Sequence, residues 1–126
     1  MDKLKLVLID DEMEFVKALS DFFSFRGYDV RVALRGNSGL QVVEEQQPDV
    51  VLMDLKMPGM DGDEVLVHIH ECSPRTKVII ITAYADDGIT RDRLLAQGAF
   101  AHFEKPLTSM RQLMEKVEQA AGRSSR

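Results

Sequence analysis

Cysteine is nearly missing from the 126-residue chain, and tryptophan is absent. The single thiol, Cys72, cannot close an internal disulfide, so the fold must rest on a packed core, as suits a reducing cytosol. No apolar run exceeds four residues, far short of the roughly 18 that a membrane-spanning helix needs. The first residues, Met1-Asp2-Lys3-Leu4, lack the pattern of a secretory leader and run straight into an apolar stretch. These features predict a cytoplasmic chain with no membrane contact. Positive charge is also scarce: 16 Lys and Arg face 21 Asp and Glu, for a net charge of −5. That balance gives no basic footprint for nucleic-acid phosphates. It is common among small domains and names no partner. Internal repeats and linkers are absent too. The length is that of one domain, able to bury roughly two-thirds of the surface its unfolded chain exposes. One domain is expected over residues 1–121, with a polar tail at 122–126 that should fray.

Three short apolar runs stand out: Leu6-Val7-Leu8-Ile9, Val50-Val51-Leu52-Met53 and Val78-Ile79-Ile80-Ile81. They are continuous rather than alternating, as strands covered on both faces should be. Tyr28 to Ala33 and Ala99 to Phe103 are weaker strand candidates. Helical spacing fills the intervals. Phe15, Val16, Leu19, Phe22 and Phe23 share one face, and Gly27 is a natural stop. A second helix is expected over 37–46, begun by Asn37 and closed before Pro48. Val65, Leu66 and Ile69 mark a third, after Asp61-Gly62. A fourth is expected over about 87–97, ending at Gly98. The fifth carries Met110, Leu113, Met114 and Val117, with Thr108 or Ser109 as its cap and Ser109-Gln112 fitting a capping box. Five βα units predict an α/β fold: one doubly wound, five-stranded parallel sheet. The flavodoxin-like strand order 2-1-3-4-5 fits the element count best.

The polar residues fall at the ends of these strands. Asp10-Asp11 follow the first, Asp54 the third, Thr82 the fourth, and Lys105-Pro106 the fifth. In a doubly wound sheet the carboxyl ends of the strands line one edge, where ligands bind. Taken singly, each residue has a plain explanation as a turn former, a helix cap, a strand residue or a solvated charge. Taken together, they predict one cleft holding three carboxylates, a hydroxyl and an ammonium. Carboxylates that close repel one another unless a cation intervenes. All-oxygen ligation favours Mg²⁺ or Mn²⁺. A metal with Lys105 and the Thr82 hydroxyl would cradle a phosphoryl group, making Asp54 a candidate nucleophile.

Asp10-Asp11, "MDLKMPGMDG", "ITA" with Thr82, and "KP" at 105–106 resemble the response-regulator receiver (CheY-like) domain of two-component signalling, over about residues 4–121. The resemblance implies a bacterial, phosphorylation-dependent switch rather than a conventional enzyme. Asp54 would accept a phosphoryl group from the phosphohistidine of a sensor histidine kinase or phosphotransfer protein, and the domain would assist its own phosphorylation and dephosphorylation. Asp11 would ligate Mg²⁺ directly, Asp10 mainly through bound water, and Asp54 and the Lys56 backbone carbonyl would complete the protein ligands. Thr82 and Lys105 would each bind a phosphoryl oxygen, and the Lys105–Pro106 bond would be cis. Pro58 and Gly59 would shape the loop after Asp54. Lys56 and Tyr84 would flank the approach of hydrolytic water. Thr82 and the residue at 102 would form the switch, altering the face of the fourth helix, fifth strand and fifth helix, where a protein partner or a linked output domain docks. Two positions depart from the family pattern. Histidine stands at 102, where an aromatic is usual, and Leu107 replaces a frequent phenylalanine. Both bear on the readout, not on the phosphorylation chemistry.

The receiver of a larger transcription regulator or hybrid kinase would carry the same motifs and fits them equally. Other competing readings are weaker. A haloacid-dehalogenase-type phosphatase places its aspartyl nucleophile after the first strand in a D-x-D pattern, whereas Asp54 follows the third and Lys56 stands two positions on. A receiver used only for docking would not need the full charged set. No G-x-G-x-x-G follows the first strand, which argues against a dinucleotide site. "HIHEC" at 68–72 puts His68 and Cys72 on one helical face and His70 on another, so a three-ligand metal site is not expected there. The methionines are read as packing residues.

Overall fold

The computed structural model of the protein describes residues 3–122. Five strands and five helices alternate along the chain: β1 Lys5–Ile9, α1 Met13–Phe25, β2 Asp29–Ala33, α2 Gly36–Gln46, β3 Val50–Met53, α3 Gly62–Cys72, β4 Lys77–Thr82, α4 Ile89–Ala96, β5 Ala101–Glu104 and α5 Met110–Ala120. The strands form one parallel sheet in the order β2-β1-β3-β4-β5. The polar tail expected at 122–126 lies outside the described residues apart from Gly122.

The continuous apolar runs split by alternation into two cores. Leu6, Leu8, Val50, Leu52, Ile79 and Ile81 face Val16, Leu19 and Phe23 of α1 and Leu113 and Val117 of α5. Val7, Ile9, Val51, Met53, Val78 and Ile80 face Val43 of α2, Val65, Leu66 and Ile69 of α3, and Leu94 of α4. A period-2 strand can use every residue in this way only when helices cover both faces. Each fully buried aliphatic side chain contributes about 1.5–3 kcal/mol relative to exposure. The edge strands β2 and β5 are less buried.

The helix ends explain where local spacing gave different boundaries. α2 begins at Gly36, before Asn37, with Arg35 at its N-cap. A Cβ at Gly36 would lie 2.9 Å from Val65 Cγ2, so close packing against α3 selects glycine there. The helix ends where Gln47 turns left-handed ahead of Pro48. α4 is shorter than spacing suggests because Asp86 takes over its start. Asp86 Oδ1 accepts the Thr90 N–H at 3.0 Å, and Oδ2 accepts the Thr90 hydroxyl at 2.6 Å. At α3, Glu64 Oε1 accepts the Asp61 N–H at 3.4 Å. At α5, Ser109 Oγ accepts the Gln112 N–H at 3.1 Å, the serine half of the expected box.

Candidate functional site

Backbone hydrogen bonds carry the sheet's order past its strand ends. The Asp10 N–H donates to Ala33 O at 3.1 Å, Asp54 to Ile9 O at 3.0 Å, and Lys105 to Thr82 O at 2.9 Å. The residues just beyond β1, β3 and β5 are therefore fixed by neighbouring strands before their side chains make any contact. In-register pairing of Ile9 with Met53 brings the ends of β1 and β3 level, while β4 runs two residues past Ile80, the partner of Met53, to Thr82.

The side chains meet at one point. Lys105 Nζ donates to Asp10 Oδ2 at 2.8 Å, to Asp54 Oδ2 at 3.2 Å, and to a carboxylate oxygen of Glu12. The other oxygen of each aspartate accepts a backbone N–H: Glu12 N to Asp10 Oδ1 at 3.0 Å, and Lys56 N to Asp54 Oδ1 at 3.4 Å. The side chains of Asp10, Asp54 and Lys105 are only 6%, 10% and 9% exposed, whereas Glu12 is 59% exposed and stands at the rim. The ammonium also lies 4.4 Å from the centre of the Phe15 ring, a favourable cation–π placement.

Burial pushes the Asp10 carboxyl above its ordinary value, against the opposing hydrogen bonds of Lys105 and of the Glu12 backbone. For Lys105, burial acts to lower the pKa, but hydrogen bonds to Asp10 and Glu12 and the charges of Asp10 and Asp54 prevail and hold it well above the usual lysine range. One ammonium faces three carboxylates, so negative charge stays in excess. Asp10, Glu12 and Asp54 each offer an oxygen within 4.8 Å of the others. An all-oxygen set with excess negative charge and no soft donor fits a hard divalent cation, with Asp10 and Asp54 as the buried holders. Such a cation would offset repulsion between the carboxylates and an anionic reactant.

A family model for the response regulator receiver domain matches residues 6–118. The chain belongs to the response regulator receiver domain family. A similar relative is sporulation initiation phosphotransferase F of Bacillus subtilis (strain 168), 38% identical over 103 residues, which cover 81% of this chain and 82% of that protein. Another is a protein-glutamate methylesterase/protein-glutamine glutaminase of Natronomonas pharaonis, 37% identical, with 92% of this chain matched to 35% of that protein. Among solved structures, a CheY-like receiver domain from Methanospirillum hungatei JF-1 superposes with a TM-score of 0.87 at 30% identity, covering 96% of this chain and 95% of that one. The doubly wound fold in the order 2-1-3-4-5 is that of these receivers.

In this receiver the expected residues divide into those gathered at the cleft and those beside it. Asp10, Asp54 and Lys105 meet directly. Asp11 is exposed and lies outside the carboxylate cluster, where Glu12 stands instead. The sequence signal for Glu12 was the acidic run Asp10-Asp11-Glu12, whose third member sequence reading passed over. Thr82 is buried at the end of β4, and its Oγ1 accepts the Tyr84 N–H at 3.2 Å. Lys56 has an exposed side chain whose Nζ lies 4.7 Å from the centre of the Tyr84 ring, so these two residues span the loops after β3 and β4. The Lys105–Pro106 peptide is cis, and Gly59 in the loop after Asp54 has φ +89°. His102 pairs with Ile80 on edge strand β5 and is half-buried. Burial lowers its pKa and the Arg91 charge reinforces this, against Glu104 and Asp86. In "HIHEC", His68 Nδ1 lies 3.7 Å from Glu71 Oε1, and no three-donor cluster forms there among the described residues.

Proposed function

We propose that this receiver is a phosphorylation-dependent switch whose acceptor is Asp54, loaded by a sensor histidine kinase or a phosphotransfer protein. The observation that carries the reading is the buried Asp54 carboxylate at the end of β3, 3.2 Å from Lys105 Nζ and clustered with Asp10 and Glu12. An Asp54 oxygen attacks the phosphorus of a phosphohistidine. The P–O bond forms as the P–N bond breaks, and the imidazole nitrogen leaves with the electron pair. Lys105 neutralises one phosphoryl oxygen and Thr82 donates its hydroxyl to another. Mg²⁺, with Mn²⁺ as a substitute, would be held by Asp54 and, mainly through bound water, by Asp10, with Asp11 and the Lys56 carbonyl as the direct ligands that the family resemblance implies. Transfer is then mostly positioning and charge stabilisation. In this reading the protein is a phosphoacceptor that assists its own loading and unloading, not a conventional enzyme, and it works in the cytoplasm.

A cleft of about 470 Å³ beside Lys105, lined by Phe15, Pro106, Leu107 and Met110, supports a protein donor that docks next to the acceptor. Exposed Ile89 and Leu95 on α4 support the α4-β5-α5 face as the docking surface for a downstream protein or a covalently linked output domain, with Thr82 and His102 relaying the change. The chain spans only 35% of the methylesterase relative, which supports a second reading in which it is the receiver part of a larger regulator. No helix among the described residues is long and apolar enough to cross a membrane.

Incubation with acetyl phosphate and Mg²⁺ should add one acid-labile phosphate, read by intact mass. Asp54→Asn should abolish it, as should chelation; equal labelling of the variant sinks the proposal. In the same assay, phosphate should be lost faster after donor removal from Lys56→Asn/Tyr84→Glu, because the Lys56–Tyr84 contact no longer screens the acceptor from water. Equal or slower loss would show that this contact does not control lifetime.

A further inference from the structure

Glu12 is the residue of the cleft that neither motif nor resemblance assigned. It occupies the N-cap of α1, yet its side chain makes no capping bond. The carboxylate instead turns back to Lys105, 93 positions away in sequence. An ammonium has three N–H donors, and Lys105 directs one to each of Asp10, Asp54 and Glu12. Two of those partners are buried and one is at the rim.

The three partners are not equivalent once a cation is bound. Asp10 and Asp54 offer their Oδ2 atoms to Lys105, while their Oδ1 atoms are engaged by backbone N–H groups. A divalent cation held by Asp54 directly and by Asp10 through bound water would draw on the oxygens that the ammonium now uses. Lys105 is then left with Glu12. Without Glu12, the ammonium would face a cation on one side and solvent on the other.

We propose that Glu12 is a positioning residue for Lys105: its carboxylate retains the ammonium at the mouth of the cleft when a divalent cation engages Asp10 and Asp54, and hands it over when a phosphoryl group arrives. Its exposure suits this role, since a rim carboxylate in contact with water can exchange partners at low cost, whereas a buried one cannot. The Phe15 ring limits the swing, keeping the ammonium above the cleft. The proposal rests on the phosphoacceptor reading, because the group that finally receives Lys105 is a phosphoryl oxygen.

The test follows the Lys105 ammonium by ¹⁵N–¹H NMR of the full chain, with the resonance assigned by its loss in Lys105→Arg. Solvent exchange of its protons is compared in the wild type and in Glu12→Gln, each without metal, with saturating Mg²⁺, and with Mg²⁺ plus beryllofluoride. Wild type should stay protected in all three states. Glu12→Gln should be protected without metal, through Asp10 and Asp54. On Mg²⁺ addition its exchange should accelerate about tenfold, the loss of one charge-assisted hydrogen bond, and beryllofluoride should restore protection. Equal exchange in the two proteins with Mg²⁺ would overturn the proposal. So would loss of protection in Glu12→Gln without metal, since Glu12 would then be a fixed part of the resting cluster. If beryllofluoride altered neither protein while Mg²⁺ still separated them, the phosphoacceptor reading would fail and the retaining contact would stand.

Discussion

α3 and α4 cover the same face of the sheet, and they are held very differently. α3 buries Gly62, Val65, Leu66 and Ile69, with Asp61 and Glu64 ordering its first turn. α4 is eight residues long and buries only Thr90 and Leu94. Its start is set by Asp86 across a left-handed pair, Asp87 at φ 59° and Gly88 at φ 86°. One ion pair joins the two helices, Arg93 Nη1 to Asp63 Oδ2 at 2.8 Å. α3 stands beside the acceptor loop and α4 beside the proposed docking face. Rigidity is thus concentrated where charge must be positioned. The flank that would report the charge is secured by few apolar contacts, as elements that move generally are.

The charge that α3 stands beside is held by Lys105, and removing that ammonium should have the largest effect. Lys105→Met leaves the Asp10 and Asp54 carboxylates buried without a countercharge and should lower unfolding free energy by about 3–5 kcal/mol in chelator. Denaturant titration should show much of this returning with Mg²⁺. A loss of the same size with and without the cation would mean that Lys105 acts through packing alone.

Of comparable or smaller size is a direct comparison of the two helices. Leu66→Ala should cost about 2–5 kcal/mol of global stability, as large-to-small core changes do. Leu94→Ala should cost less globally, while amide exchange accelerates selectively across 89–96. Matching global losses and uniform exchange would erase the distinction between α3 and α4.

The smallest effect belongs to His102. Burial holds its folded-state pKa below the ordinary 6.5, so between the two values the unfolded chain binds more protons. Stability should therefore decline as pH falls below about 6.5, and Gln at 102 should flatten that slope relative to wild type. Parallel slopes in urea titrations at mildly alkaline and mildly acidic pH would show that the imidazole is as free as in the unfolded chain.

Much of this is legible in the sequence alone. Three unbroken apolar runs ending in Asp, Asp and Thr fix both a two-sided sheet and a shared edge, because strands deliver their last residues to one line. Local spacing could not supply the start of α4, since Asp86 caps from outside the helix through a backbone pair with positive φ. Nor could it tell Glu12 from Asp11. Adjacent residues after a strand diverge in direction, and only the return of Lys105 from the far end of the chain decides which of them is met. Gly39 was likewise silent in the sequence: a Cβ there would fall 2.5 Å from Ile9 Cδ1, so α2 lies flush on β1.

The backbone bonds that tie Asp10 to Ala33, Asp54 to Ile9 and Lys105 to Thr82 make the sheet a ruler for the cleft. Neighbouring parallel strands are about 4.8 Å apart whatever their side chains, so the acceptor and its ammonium inherit a spacing that loop sequences do not set. Length changes in the loops beyond are then cheap, each doubling of a flexible loop costing only about 0.6 kcal/mol. One residue inserted within Val50–Met53 has the opposite consequence. It reverses which face each later side chain meets and turns the carboxylate away from Lys105, so the tolerance of this chain to insertion should change from strict to permissive within a few residues of Asp54.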